Sequence, residues 1–165
     1  MLLNPIQLIF ERIPVFVLVL FRVGGLVAVG PLLGMTAIPV KIKIMLALVL
    51  ATAIFPLVSE VAFVPNSYVE LAIAVGSEML IGIAMGFMLT LMFLGVQIGA
   101  ETISQQMGLS MSQLIDPSSG VSTTVMSQLF LLLATLLYVI MNGHLILIKA
   151  LADTFKTVPL MAAWA

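Results

Sequence analysis

Cysteine is absent from this 165-residue chain, and charged residues make up only 8% of it. Without thiols, the chain can form no disulfide, no thiolate metal site and no cysteine nucleophile. A single histidine and seven scattered acidic residues offer little for a metal or hydrolytic centre, so we expect neither such a site nor a cofactor. The formal net charge of −1 provides no basic surface for nucleic acid.

Apolar residues dominate what the chain does contain. They make up 62% of it, and its mean hydropathy is +1.31. A soluble domain is about half apolar and about a quarter charged, so a soluble monomer of this composition could not cover its surface with polar groups. A membrane-spanning helix needs about 20 apolar residues. Four apolar segments, at roughly 5–35, 43–62, 68–104 and 123–155, predict an all-α integral membrane protein of helical hairpins, a single domain over residues 1–165.

The third segment is too long for a simple membrane crossing. Ser67 and Glu70 form the S-x-x-E pattern of a capping box, which predicts that a helix begins there. A continuous helix from Ser67 to Ser104 would be about 55 Å long, against about 30 Å of hydrocarbon. Such a helix tilts strongly, breaks or extends into a protein assembly. The indecisive distribution of Lys and Arg between the two sides fits an assembly best.

Arg22 lies within the first apolar segment, where an ionisable group is costly and usually has a partner or a wet cavity. Glu78, in the third segment, is the candidate partner for a buried ion pair. A structural pair, or an arginine that snorkels to the interface, is the favoured interpretation over a transport role. We expect His144 to be hydrogen-bonded to a neighbour rather than to act as a ligand or proton relay.

Small residues in the third segment predict close helix packing. Two G-x-x-x-G motifs let neighbouring helix backbones approach each other, and the two pairs fall on different faces of the helix. The helix should therefore pack on more than one neighbour. The motifs are formed by Gly82 with Gly86 and by Gly95 with Gly99.

A polar stripe runs along the same helix within an arc of about 60°. Its members are Thr90, Gln97, Glu101 and Ser104. The stripe either lies near a wet pore, forms a seam of interhelical hydrogen bonds, or marks the point where the helix emerges into water. The pattern leaves these interpretations open.

A stretch rich in Ser, Gly, Asp and Pro, from Met107 to Thr124, predicts a loop between the third and fourth segments. Met107 and Met111 flank Gly108 in this stretch, and methionine adapts to irregular gaps. Flexible apolar side chains beside glycine are suited to plug a pore, although the pattern alone favours an ordinary interhelical loop.

Three short stretches give the chain a resemblance to a known family: Gln106 to Ser110 (QMGLS), Asp116–Pro117, and Asn142 to His144 (NGH). On these it resembles the FliR/SctT family of export-apparatus membrane proteins, found in flagella and in virulence type III secretion systems. The resemblance covers the whole chain. Family members continue for roughly another half of this length, with a further hydrophobic hairpin that is absent here. Other matching residues are Arg22, Pro39 to Lys41, Glu78 to Gly82, Gly86, Phe155 and Pro159.

The resemblance implies a non-enzymatic subunit of the export gate in the bacterial inner membrane and the flagellar basal body. It implies homologues of FliP, FliQ and FlhB as partners, contact with membrane lipid, and unfolded secreted proteins as substrates. It also implies a plug loop that seals the closed channel. Carried over, the plug would include Gln105, Gln106, Met107, Gly108, Leu109, Ser110, Met111, Asp116 and Pro117.

Two other functions compete with an export-gate subunit. A small-molecule or ion transporter would use an intramembrane charged relay and would work in isolation. The candidate relay residues are Arg22, Glu78, Glu101 and His144. A membrane-anchored scaffold without a pore is the other possibility.

Overall fold

A computed structural model describes residues 5–31, 38–58, 67–108 and 124–160, with side chains described from residue 12 onward. This part of the chain forms five helices and contains no strand, so the predicted all-α fold is confirmed. The helices are α1 (Pro5–Val29), α2 (Val40–Val58), α3 (Tyr68–Gln106), α4 (Val125–Ile140) and α5 (Gly143–Thr157). Two compact units divide the chain: Met1–Met88 with Leu147–Ala165, and Leu89–Ile146.

Prolines mark the ends of the first helices. α1 ends at Val29, two residues before Pro31, because a proline restricts the residue before it to extended backbone. α2 begins at Val40, directly after Pro39, whose carbonyl accepts from the Ile42 N–H at 3.0 Å. The two proline-flanked helices pack against each other.

The core of the first unit lies along one face of each of these two helices. Its α2 face recurs at intervals of four, three and four residues, as a helical stripe requires. Phe16 of α1 and Phe55 of α2 add an edge-to-face contact, with ring centroids 5.6 Å apart. In lipid, such packing stabilises the hairpin by van der Waals contact rather than by exclusion of water. The buried α2 residues are Ala47, Ala51, Ile54 and Val58.

α3 is one unbroken helix of 39 residues, about 58 Å long. Its predicted start is confirmed: the Ser67 hydroxyl accepts from the Val69 N–H at 3.4 Å, and the helix begins at Tyr68. A break, one of the three solutions to its excess length, is therefore excluded. Only 11% of the apolar stretch within this helix is buried against the rest of the described chain.

The fourth apolar segment differs from the single stretch predicted, because it forms two helices that bend by 63° at a short break. Asn142 has a φ of 56°, a left-handed conformation that asparagine tolerates better than other residues with side chains. Its carbonyl accepts from the N–H groups of Leu145 and Ile146 at 2.9 and 3.1 Å, which begins α5.

Three described helices are long and apolar enough to cross a membrane, and the bent pair makes a fourth if it counts as one span.

Candidate functional site

A buried ion pair joins α1 and α3 in the first unit. Arg22 and Glu78 are 0% and 1% exposed, and Arg22 Nε donates to Glu78 Oε2 at 2.5 Å. Arg22 is buried because it shares a face with Leu18 and Leu26, which are spaced at one helical turn and both lie in the core. The structure thus brings together the two charged residues that the sequence paired.

The rest of the Arg22 guanidinium faces the end of α5, within the same unit. Its terminal nitrogens donate to the Val158 carbonyl at 3.1 and 3.2 Å, and one also donates to the Thr154 hydroxyl at 3.4 Å. Its central carbon lies 4.3 Å from the centroid of the Phe155 ring. Val158 directly follows α5, where the partial negative charge of a helix end favours a cation. Arg22 of α1 therefore contacts α3 through the Glu78 carboxylate, and it contacts the end of α5 through the Val158 carbonyl and the Phe155 ring.

Glycines bring the backbones of α1 and α3 into direct contact around this ion pair. A Cβ atom added at Gly82 would overlap the carbonyl oxygen of Arg22, and one added at Gly25 would lie 2.6 Å from the Met79 carbonyl oxygen. At Gly86, the added atom would lie 3.0 Å from the Leu26 carbonyl oxygen. Only glycine permits this approach, which holds Arg22 and Glu78 at hydrogen-bonding distance.

The second G-x-x-x-G motif has a different environment. No described residue lies within 4 Å of a Cβ atom added at Gly95 or Gly99, and both glycines are exposed. The packing predicted for them stays a prediction, since it concerns a neighbour outside the described chain.

A second polar cluster, within the Leu89–Ile146 unit, contains one member of the predicted stripe. Glu101 Oε2 accepts from the hydroxyls of Thr124 and Ser127 at 2.9 and 2.6 Å. Thr124 is the N-cap of α4, and its hydroxyl accepts from the Ser127 N–H at 3.3 Å. This arrangement joins the last turns of α3 to the first residues of α4. It matches the interhelical seam that was one of the three interpretations of the stripe.

The other stripe members are buried or half-buried. Thr90 and Gln97 are half-buried, and Ser104 is fully buried. The Ser104 hydroxyl has no hydrogen-bond partner among the described residues. His144 is exposed on α5, and the hydrogen bond expected for it is not found in the described part of the chain.

The predicted plug region is described only at its beginning. Gln105 and Gln106 complete α3, while Met107 and Gly108 form the turn that follows, with Gly108 at a φ of 72°. All four are exposed. The remaining plug residues, Leu109, Ser110, Met111, Asp116 and Pro117, lie outside the described residues.

Sequence reasoning did not find the further partners of Arg22 on α5 or the hydroxyl partners of Glu101. Thr154 and Val158, which bind Arg22, lie far along the chain, and no spacing rule connects them to it. For Thr124 a signal existed, because a threonine directly before an apolar run is a typical N-cap. No group of three or more His, Cys, Asp or Glu side chains converges within the described ranges.

Comparison with known proteins gives consistent matches. The family model described as "Bacterial export proteins, family 1" matches residues 13–165. The flagellar biosynthetic protein FliR of Escherichia coli K12 is 38% identical over 141 residues, which are 86% of this chain and 54% of that protein. FliR of Buchnera aphidicola from Acyrthosiphon pisum is 31% identical over 95% of this chain and 60% of its own length. FliR of Bacillus subtilis 168 is 28% identical over 90% of this chain and 57% of its own. The chain thus spans a little over half the length of these relatives.

Proposed function

The chain belongs to the bacterial export proteins, family 1, and on that basis we propose that it is a subunit of the flagellar protein-export apparatus in the bacterial inner membrane. The observation that carries this proposal is the family match over residues 13–165, together with relatives named as flagellar biosynthetic proteins. The subunit's role is structural: it lines and closes a passage for other proteins and catalyses no reaction.

The length of α3 supports a role inside an assembly. To fit about 58 Å of helix into about 30 Å of hydrocarbon, α3 would need a tilt of about 60°, whereas membrane helices tilt by 0–40°. Apolar residues are nevertheless exposed at both of its ends, Val69 at 66% and Ile103 at 43%. Because lipid alone cannot cover both ends, other protein subunits are the natural cover.

In finer detail, we infer that homologues of FliP and FliQ surround the passage with this chain and that an FlhB homologue lies at its cytoplasmic entrance. Unfolded secreted proteins are the substrates. The segment from Gln105 to Pro117 plugs the idle channel, because flexible Met and Leu side chains seal against ions yet yield to many sequences.

The Glu101 cluster supports the plug assignment. One carboxylate binds the hydroxyls of Thr124 and Ser127, and it lies on α3 just before the segment, while Thr124 directly follows residue 123. The two ends of the longer stretch 102–123, which contains the segment, therefore meet at the same carboxylate. A plug that must return to one place after each substrate needs ends fixed in this way.

A transporter with an intramembrane relay is the alternative, and the polar contacts speak against it. A relay needs ionisable groups that face a wet cavity and change partners. Arg22 and Glu78 are instead 0% and 1% exposed and bind each other, and Glu101 is bound by two hydroxyls.

The plug can be tested by replacing residues 109–120 in the full-length protein. One variant deletes them, and a matched variant exchanges them for a Gly-Ser stretch of equal length. If the apolar side chains form the seal, both variants make the host membrane permeable to ions and small dyes. If chain length alone forms it, only the deletion does. Unchanged permeability in both would overturn the plug, and normal flagellar export without the protein would overturn the wider proposal.

A further inference from the structure

An apolar groove opens between α1, α2 and α3 in the first unit, on the side of α1 away from Arg22. Its volume is about 270 Å³, and apolar side chains and glycines alone line it. The lining includes Leu20 and Gly24 of α1, Ile44 and Leu48 of α2, and Met79 of α3. Ile44, Leu48 and Met79 are exposed, so the groove opens onto the apolar surface of the helices.

Two adjacent glycines shape this groove in different ways. Gly25 brings α1 against the α3 backbone, because a Cβ atom there would lie 2.6 Å from the Met79 carbonyl oxygen. Gly24 has no described atom within 4 Å of an added Cβ, although it lines the groove. Among the described residues, none fills the space beside Gly24.

Lys41 carries a positive charge on α2, one helical turn before the groove residue Ile44. Lys41 is exposed, and it precedes Ile44 by three residues and Leu48 by seven, which places all three on one face of α2. No ion pair of Lys41 is found within the described ranges. The first turn of α2 also contains no acidic residue. The apolar span begins at Val40, so Lys41 lies at its first end.

We propose that the groove binds one acyl chain of an anionic phospholipid whose phosphate lies against Lys41. At 1.5 Å per residue, the groove residues Ile44 to Leu48 lie about 5–10 Å deeper than Lys41, which is where the acyl chain of an interfacial headgroup begins. The volume holds about nine groups the size of a water molecule, at about 30 Å³ each, or half of a fatty-acyl chain.

The charge at its mouth distinguishes a lipid from a side chain of a neighbouring subunit. An inserted Leu or Phe would fill less of the groove and would have no use for an exposed lysine beside it. An anionic lipid uses both features, because the acyl chain fills the apolar space while the phosphate is attracted to the ammonium group.

Native mass spectrometry of the detergent-extracted export complex tests the site. Phosphatidylglycerol and phosphatidylcholine with identical acyl chains are added at equal concentrations to the wild type and three variants. Gly24→Leu fills the groove. Gly76→Leu, its matched control, adds the same side chain at another open helical glycine outside the groove. Lys41→Gln removes the charge.

We expect the wild type to retain phosphatidylglycerol preferentially. Gly24→Leu should lower its retention more than about tenfold, since displacing two buried methylenes suffices for that, and Gly76→Leu should not. Lys41→Gln should reduce the preference over phosphatidylcholine about fivefold, the typical contribution of one lysine at an anionic surface.

Retention that is unchanged in Gly24→Leu would overturn the groove assignment, and an unchanged headgroup preference in Lys41→Gln would overturn the phosphate contact. If Gly24→Leu instead loses a protein subunit while its lipid stays, the groove receives that subunit and the proposal is wrong. Leu48→Trp, which fills the groove from α2, repeats the test should Gly24→Leu fail to assemble.

Discussion

Alanine substitution at two glycines of α3 is predicted to change stability in opposite directions. Gly82 and Gly95 are both helical, so alanine improves the intrinsic helix preference at either position by up to about 1 kcal/mol. At Gly82, however, the added methyl would overlap the Arg22 carbonyl oxygen. That oxygen belongs to the backbone of α1 and cannot move aside by changing rotamer, so the two helices must separate.

The structure sets the size of the difference. Overpacking of a well-packed contact costs about 1–3 kcal/mol. The cost at Gly82 lies at the upper end, because separating the helices also lengthens the bond between Arg22 and Glu78. At Gly95, no described residue lies within 4 Å of the new atom, so the helix preference is gained without a clash. Because the helix preference is gained at both positions, it cancels, and the two variants should differ by the clash alone, about 2–3 kcal/mol in free energy of unfolding.

Reversible unfolding of the purified protein in bicelles measures this difference, and Gly86→Ala provides an intermediate case. There the added methyl would lie 3.0 Å from the Leu26 carbonyl oxygen, so a small shift relieves the contact. The expected order of stability is Gly95→Ala, wild type, Gly86→Ala, Gly82→Ala. If Gly82→Ala were as stable as Gly95→Ala, α1 and α3 could not be in backbone contact, and the account of how Arg22 is held would fail.

Three further comparisons between variants test the polar contacts and the break between α4 and α5. Arg22→Ala should lower the free energy of unfolding by about 3–5 kcal/mol, because it leaves the Glu78 carboxylate buried without its guanidinium. Arg22→Lys should restore only part of this stability, since one ammonium cannot bind both Glu78 and the Val158 carbonyl. Equal stability of wild type and Arg22→Ala in the same unfolding assay would contradict the ion pair. Asn142→Val should lower the thermal midpoint relative to Asn142→Gly by the equivalent of about 1–2 kcal/mol, because a β-branched residue resists a φ of 56°; identical midpoints would place the break elsewhere. Glu78→Gln and Glu101→Gln should have effects on unfolding that add within about 0.5 kcal/mol, and a larger coupling in the double variant would favour a shared relay.

Much of this fold could be predicted because the chain contains so few charges. Because few ionisable residues lie in the apolar segments, Arg22 has few candidate partners there, and Glu78 is one of them. The structure joins the two. The Ser67 cap could be predicted because its hydrogen bond joins residues that are neighbours in sequence. Contacts between residues far apart in sequence could not be predicted. The Val158 carbonyl is a backbone group that any residue would supply, and Gly25 is one of 12 glycines with nothing local to single it out.

The break at Asn142 shows a different limit of sequence reasoning. The segment from 123 to 155 is apolar on average, so its hydropathy predicts one span. The backbone nevertheless turns at Asn142, where the left-handed conformation of the residue, and not its polarity, makes the break. Apolar composition reports where a chain is desolvated, and it carries little information about where a helix ends. The Asn-Gly dipeptide at 142–143 was the available signal for a turn.

The positions of Glu78 and Glu101, two of the three acidic residues of α3, bear on the choice between functions. Glu78 lies in the first unit, and Glu101 lies in the second, 23 positions further along the chain. A shared relay would need both carboxylates to face a wet cavity and change partners. Each carboxylate has instead its own partners, Arg22 for one and the Thr124 and Ser127 hydroxyls for the other. These two polar clusters each join α3 to other helices of the chain, which favours a structural role for both carboxylates over a relay.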